Sequence, residues 1–135
     1  MPLLTFTRKF EEPILTGRKT TTFRPVSCKV LPGDLCTATG GDQRTFAYLK
    51  ILGVRHVWLD QLTNAMARAD GLRDAEDLRE GLERFYPGVE EFILIRFRLA
   101  REPELELDWK EALREIRSIR RDFRAVARRI VAVME

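Results

Sequence analysis

Hydrophobic and polar residues alternate in short blocks over the first hundred residues, and then adopt a three-four spacing. Leu3 to Thr7 has the length and composition of a short strand, and Phe10 to Thr16 that of a brief helical turn, with Pro13 placed where a missing N–H costs little. Gly17 ends that turn. Thr20 to Arg24 is a β-rich run closed by Pro25, which biases the residue before it away from helix. Pro32-Gly33-Asp34 predicts a turn, Leu35 to Thr39 a strand, and Gly40-Gly41-Asp42 the turn of a hairpin. Phe46 to Trp58 is dense in Val, Ile, Leu, Tyr and Phe, which predicts a long strand bent at Gly53.

Helix signals follow. Thr63 is placed to N-cap a short helix ending at Ala69, with Gly71 at C′, and Asp74 with Asp77 predicts the capped start of a helix over Ala75 to Phe85. Tyr86-Pro87-Gly88 stops it. Glu91 to Leu99 then predicts a closing strand buried on at least one face. A compact unit over residues 1–101 is expected, followed by an acidic linker and a helix over 102–135. In that segment Trp109, Leu113, Ile116, Ile119, Phe123, Val126, Ile130 and Val133 recur at helical spacing. Arg117, Arg120, Arg121, Arg124 and Arg128 occupy its other side.

Composition narrows the class. A chain of 135 residues can bury a core without staples, and Cys28 and Cys36 are too few for a secreted disulfide framework. They are expected to be reduced thiols. Charged residues break the apolar start of the chain, and no apolar run reaches the ~18 residues of a membrane span, so a cytoplasmic protein without membrane contact is expected. The net charge of +3 carries little information, but its distribution carries more. Glu102 to Asp108 holds four acids and no base, whereas Trp109 to Met134 holds eight Lys/Arg against three acids. That basic helix is expected to pack on the domain or to form a homodimer, with contact to RNA phosphates as a further use.

The chemistry is concentrated between Gly17 and Arg24, where Arg18, Lys19 and Arg24 flank Thr20, Thr21 and Thr22. In an extended strand Thr20, Thr22 and Arg24 share one face, and Lys19, Thr21 and Phe23 the other. A turn at Gly17 can still swing the Lys19 amine toward Thr22. Such a cluster suits a phosphate or a carbonyl oxygen, although charges at a strand end are commonly just solvated. His56 has no ligand-type neighbours at metal spacing and is given no role. Tyr48 and Trp58 are expected to fill the core, Trp58 more firmly than Tyr48.

The order of Gly17, Lys19, Thr22 and Arg24, then Pro32-Gly33-Asp34, a long strand, Leu62-Thr63, Asp70-Gly71 and Tyr86-Pro87 before a last apolar strand resembles the ASCH family over residues 3–100. The resemblance implies an α+β fold, a small PUA-like β-barrel with flanking helices, to which this chain adds the long C-terminal amphipathic helix. It also implies a cleft that faces RNA or a nucleotide, here lined by Gly17, Lys19, Thr22 and Arg24, with no metal or organic cofactor. RNA or a modified nucleoside is the expected partner. Some small bacterial members of the family are amidohydrolases acting on N4-acylated cytidines. Their motif's lysine is the base, its threonine the nucleophile, and a later glutamate the proton donor. By position these are Lys19, Thr22 and Asp70. Aspartate reaches one methylene less than glutamate, and Asp70 also reads as an ordinary polar helix end. Nucleotide or RNA binding is therefore the first expectation, deacylation of N4-acylcytidine the alternative, and a protein-interaction module using the terminal helix the third.

Overall fold

The computed structural model describes residues 1–101, so the predicted C-terminal helix and the homodimer built on it lie outside the described residues. Met1–Ala100 forms one compact unit. Its elements in chain order are β1 (Leu3–Thr5), α1 (Glu11–Leu15), β2 (Thr21–Pro25), β3 (Leu35–Thr39), β4 (Thr45–Trp58), α2 (Asn64–Ala69), α3 (Ala75–Phe85) and β5 (Glu91–Leu99). Short 3-10 turns at Arg8–Phe10 and Leu59–Gln61 join β1 to α1 and β4 to α2.

The five strands form one mixed sheet in the order β1-β3-β4-β5-β2. Only β1 and β3 run parallel, with Leu4 opposite Ala38. The remaining pairs are antiparallel. β1 and β2 are the two edges, so the expected barrel is an open half-barrel with a seam between them. A sheet needs all of its hydrogen-bonded neighbours to close, and the short β1 and β2 supply one partner each.

β4 is long enough to serve both halves of the sheet because it bends. Ile51 faces Phe97 and Gly53 faces Arg96, leaving Leu52 as the extra residue of a bulge where the sequence predicted a bend. Two apolar clusters lie on opposite faces of the sheet, since Ile95 and Phe97 of β5 belong to one and Phe92 to the other. Leu4, Phe6, Ile14, Cys36, Leu49, Ile51, Ile95 and Phe97 belong to the first. Phe23, Val57 and Phe92 instead pack under Ala67 of α2 and Leu78 and Leu82 of α3. Each fully buried Leu, Ile or Phe contributes about 1.5–3 kcal/mol, so both clusters are needed for a domain this small.

The helix ends follow their sequence signals. Thr63 Oγ1 accepts from Met66 N at 3.1 Å, and Asp74 Oδ1 accepts from Asp77 N at 2.9 Å. The Asp77 carboxylate reaches back to Arg73 N rather than to Asp74, one residue earlier than a reciprocal box would have it. Gly71 follows α2 at φ 86°. Cys28 and Cys36 are both free thiols, and burial pushes Cys36 up to about 11. Tyr48 and Trp58 are not core residues: they are 40% and 41% exposed. Trp58 stands edge-on to His56 at 5.5 Å, and His56 lies 3.4 Å from Glu91. No helix among the described residues is long and apolar enough to cross a membrane.

Candidate functional site

The seam between the sheet edges opens into a cleft of about 100 Å³. One wall comes from β1 and the turn after it, through Thr5, Phe6, Thr7 and Phe10. The other comes from α3 and its flanks, through Leu72, Leu78, Gly81, Leu82, Phe85 and Tyr86. Lys19, Thr22, Phe23, Arg24 and Asp70 line it as well. Four of the predicted site residues, Lys19, Thr22, Arg24 and Asp70, thus share one cleft, although Asp70 is about fifty positions from the others. Gly17 does not line it. With φ 81° it reverses the chain after α1, and Lys19 N then donates to Pro13 O at 3.0 Å.

Two short networks meet there, one on each face of β2. On the α2 side Lys19 Nζ lies 3.1 Å from Asp70 Oδ1 and donates to the Asp70 carbonyl oxygen at 3.0 Å. Thr21 Oγ1 donates to the same Asp70 Oδ1 at 3.0 Å. The pair is well sealed, with side chains 3% and 8% exposed. Asp70 is both things the sequence allowed, the C-cap residue of α2 and the partner of Lys19. Its shorter side chain is compensated by backbone position: Thr20 N donates to Ala69 O at 2.8 Å, which draws the end of α2 onto the start of β2. Gly71 makes the approach feasible, since a Cβ there would sit 3.3 Å from Lys19 Cβ.

On the β1 side Arg24 Nε donates to Thr22 Oγ1 at 3.2 Å, and Arg24 Nη2 donates to the Thr5 carbonyl at 2.8 Å. Arg24 therefore spans the open seam from β2 to β1. Its guanidinium lies 4.8 Å from the centre of the Phe6 ring, and Lys19 Nζ lies 4.5 Å from the Phe10 ring. The alternation read from the sequence puts Thr22 with Arg24 and Lys19 with Thr21, and the hydrogen bonds divide the same way. Lys19 bonds to Asp70 and not to Thr22.

Burial sets the electrostatics. It holds the Lys19 amine below the ordinary lysine range, against the pull of Asp70, and Arg24 and Lys9 lower it further. It likewise raises Asp70 above the usual carboxylate range, against the opposing effect of Lys19, Thr21 and Arg24. Both shifts favour the neutral forms. The short contact argues for an ion pair and the lack of solvent against it; with so little exposure we take desolvation as the larger effect. The donor set is nitrogen, hydroxyl and a single carboxylate, and no group of three or more metal-ligating side chains occurs among the described residues.

Comparison with known proteins identifies the group. No family model matches the chain. The N(4)-acetylcytidine amidohydrolase of Haemophilus influenzae is 36% identical over 98 residues, covering 71% of this chain and 93% of that protein. The enzyme of the same name from Edwardsiella ictaluri is 37% identical over 102 residues, covering 74% and 94%. The chain belongs to the ASCH-domain family of N(4)-acetylcytidine amidohydrolases. Solved structures agree with this membership at the level of fold. The ASCH domain of Lactobacillus crispatus superposes with a TM-score of 0.61 at 16% identity, covering 73% of this chain and 79% of that one. The ASCH protein of Zymomonas mobilis gives 0.58 at 13% identity, covering 88% and 80%.

Within this ASCH domain the residues invisible to sequence reasoning are those of the walls. Thr21 was legible in retrospect, because it shares a strand face with Lys19. Thr5, Phe6, Thr7 and Phe10 gave no signal, since only the parallel pairing of β1 with β3 brings them to the seam.

Proposed function

We propose that this chain hydrolyses the exocyclic amide of N4-acylated cytidines, releasing cytidine and a carboxylic acid. The observation that carries the reading is the buried Lys19–Asp70 pair opening into the same cleft as Thr22. Membership of a family whose curated relatives are named for this reaction supports it.

Each residue has a task that its surroundings favour. A threonine hydroxyl is a weak nucleophile until its proton is taken. The Arg24 donor on Thr22 Oγ1 favours the alkoxide that forms, and leaves the hydroxyl proton free to depart. Lys19 takes that proton only when its amine is neutral. A proton passed from Lys19 to Asp70 across 3.1 Å produces a neutral amine and a neutral acid together, with no loss of charge to solvent. The directions of both pKa shifts favour that transfer. Lys19, which does not touch Thr22 directly, serves as base through a bridging water while Thr22 Oγ1 attacks the acyl carbonyl, and Asp70 holds the proton needed by the departing exocyclic nitrogen. Water attacks the resulting Thr22 ester, regenerating the hydroxyl and releasing the acid.

Incubation of the protein with N4-acetylcytidine and chromatography for cytidine tests this directly. The wild type is expected to release cytidine, and absence of turnover ends the proposal.

RNA binding is the second reading. It is favoured by the outer face of the half-barrel, where Lys50 stands directly opposite Arg98 across β4 and β5 and Tyr48 is exposed. A lysine beside an exposed aromatic ring suits an anionic backbone and its bases. Affinity for a short RNA that falls steeply with salt and weakens in Lys50→Ala supports it; salt-independent or undetectable binding counts against it.

A further inference from the structure

The apolar stripe of α3 has a gap in it. Leu78, Gly81, Leu82 and Phe85 recur at helical spacing, so one face of the helix carries three large apolar side chains and a glycine. All four line the cleft, beside Leu72. Glycine inside a helix is destabilising relative to alanine, and is needed only where φ is positive or a neighbour approaches closely. Neither reason applies to Gly81. The glycines with positive φ are Gly17, Gly33, Gly71 and Gly88, and nothing lies within 4 Å of a Cβ added at Gly81. It is also in the interior of α3, where no cap calls for it. The missing side chain leaves open space in a wall of the cleft that holds Thr22.

We infer that Gly81 is a specificity-determining residue that makes room for the acyl chain of the substrate, so that the cleft takes N4-acyl groups longer than acetyl. This deepens the deacylase reading and rests on it. The base, the amide and the ribose of an N4-acylcytidine all carry polar edges, and only the chain beyond the acyl carbonyl is hydrocarbon. The wall around Gly81 matches that part. Apart from Tyr86, it presents Leu72, Leu78, Leu82 and Phe85, against which buried methylenes gain by leaving water. The facing wall offers its rings to cations instead, with Arg24 over Phe6 and Lys19 over Phe10. In the Thr22 ester the acyl chain stays tethered in the cleft after cytidine has left, so it is the part of the substrate that the walls near Thr22 hold longest. A side chain at position 81 would complete the stripe of α3 and occupy the space this chain needs.

The test measures kcat/KM of wild type, Gly81→Ala and Gly81→Leu on N4-acetylcytidine and N4-butyrylcytidine, with a melting temperature for each protein. The wild type is expected to hydrolyse the butyryl substrate at least as well as the acetyl one, because the added methylenes are buried against α3. Gly81→Ala is expected to lower the butyryl-to-acetyl ratio of kcat/KM roughly tenfold, the penalty for one methyl group too many in an apolar pocket, while its melting temperature holds or rises. Gly81→Leu is expected to lower the ratio further. If the wild type cleaves N4-acetylcytidine and the ratio is the same in all three proteins, Gly81 does not face the acyl chain; the inference fails and the deacylase reading stands. A wild type that cleaves the acetyl substrate and leaves the butyryl one untouched has no room beside Gly81, with the same consequence. A Gly81→Ala protein that loses melting temperature, and loses activity on both substrates alike, gives Gly81 a structural role and overturns the inference. No turnover of either substrate by the wild type overturns both.

Discussion

Removing either member of the Lys19–Asp70 pair should cost far more than removing both. The two side chains are 3% and 8% exposed, so each depends on the other for the solvation it has lost. Lys19→Met leaves the Asp70 carboxyl with only the Thr21 hydroxyl, and Asp70→Asn leaves the Lys19 amine with a backbone carbonyl and the Phe10 ring. Orphaning one partner of a buried pair costs about 3–5 kcal/mol, a large part of the ~5–15 kcal/mol that holds a domain together. For a domain of about 100 residues that corresponds to a loss on the order of 10–20 °C in melting temperature. The double variant Lys19→Met/Asp70→Asn keeps the shape and the Thr21 hydrogen bond, and should be more stable than either single one. The sign of the pH dependence separates the singles. In Lys19→Met the raised Asp70 penalises folding increasingly as pH climbs above the unfolded carboxylate value of ~3.9, so that variant is relatively best at low pH. In Asp70→Asn the lowered Lys19 penalises folding increasingly as pH drops below the unfolded amine value of ~10.4, so that variant improves toward high pH. Thermal melts of the four proteins across pH measure all of this. Single variants that lose under ~4 °C, or losses that simply add in the double, would show that the pair is not energetically coupled.

Three further outcomes follow from the same geometry. Gly71→Ala must hold a side chain at φ 86° with its Cβ 3.3 Å from Lys19 Cβ, and should lose about 1–3 kcal/mol by chemical denaturation. An unchanged midpoint would mean that the end of α2 relaxes freely. Gly81→Ala should gain about 0.5–1 kcal/mol, because Gly81 sits inside α3 with nothing within 4 Å of an added Cβ; a loss of stability would mean that α3 packs more tightly than its backbone indicates. The rate of deacylation should rise with pH through the lowered Lys19 value, and Asp70→Asn, which removes the proton donor of the leaving nitrogen, should reduce kcat about 10²- to 10⁴-fold. A rate that does not change with pH would argue against Lys19 as the base.

Local signals carried much of the fold. Gly53 marked the β4 bulge, Gly71 the end of α2, and Thr63 and Asp74 the two N-caps, because each rests on backbone geometry that neighbouring residues determine. The alternation along β2 also sorted Thr22 and Arg24 from Lys19 and Thr21. Three features were not legible. The resemblance implied a barrel, but whether β1 and β2 meet depends on tertiary closure, and they remain edges. Tyr48 and Trp58 look like core residues in an apolar strand, yet burial of a strand residue depends on what covers its face. Thr7 looks like any cap residue, and only the packed structure shows its hydroxyl buried without a partner among the described residues.

In the proposed reaction Thr22, activated by the Lys19–Asp70 pair, attacks the acyl carbon of an N4-acylated cytidine. The most direct measurement is cytidine release from N4-acetylcytidine by wild type and Thr22→Val, with rapid quenching and intact-mass spectrometry of each. Turnover and an acetylated wild-type chain with the modification on Thr22 are expected, with at least a ~10³-fold loss and no acetylation in Thr22→Val. Turnover by Thr22→Val at the wild-type rate would contradict the proposed reaction.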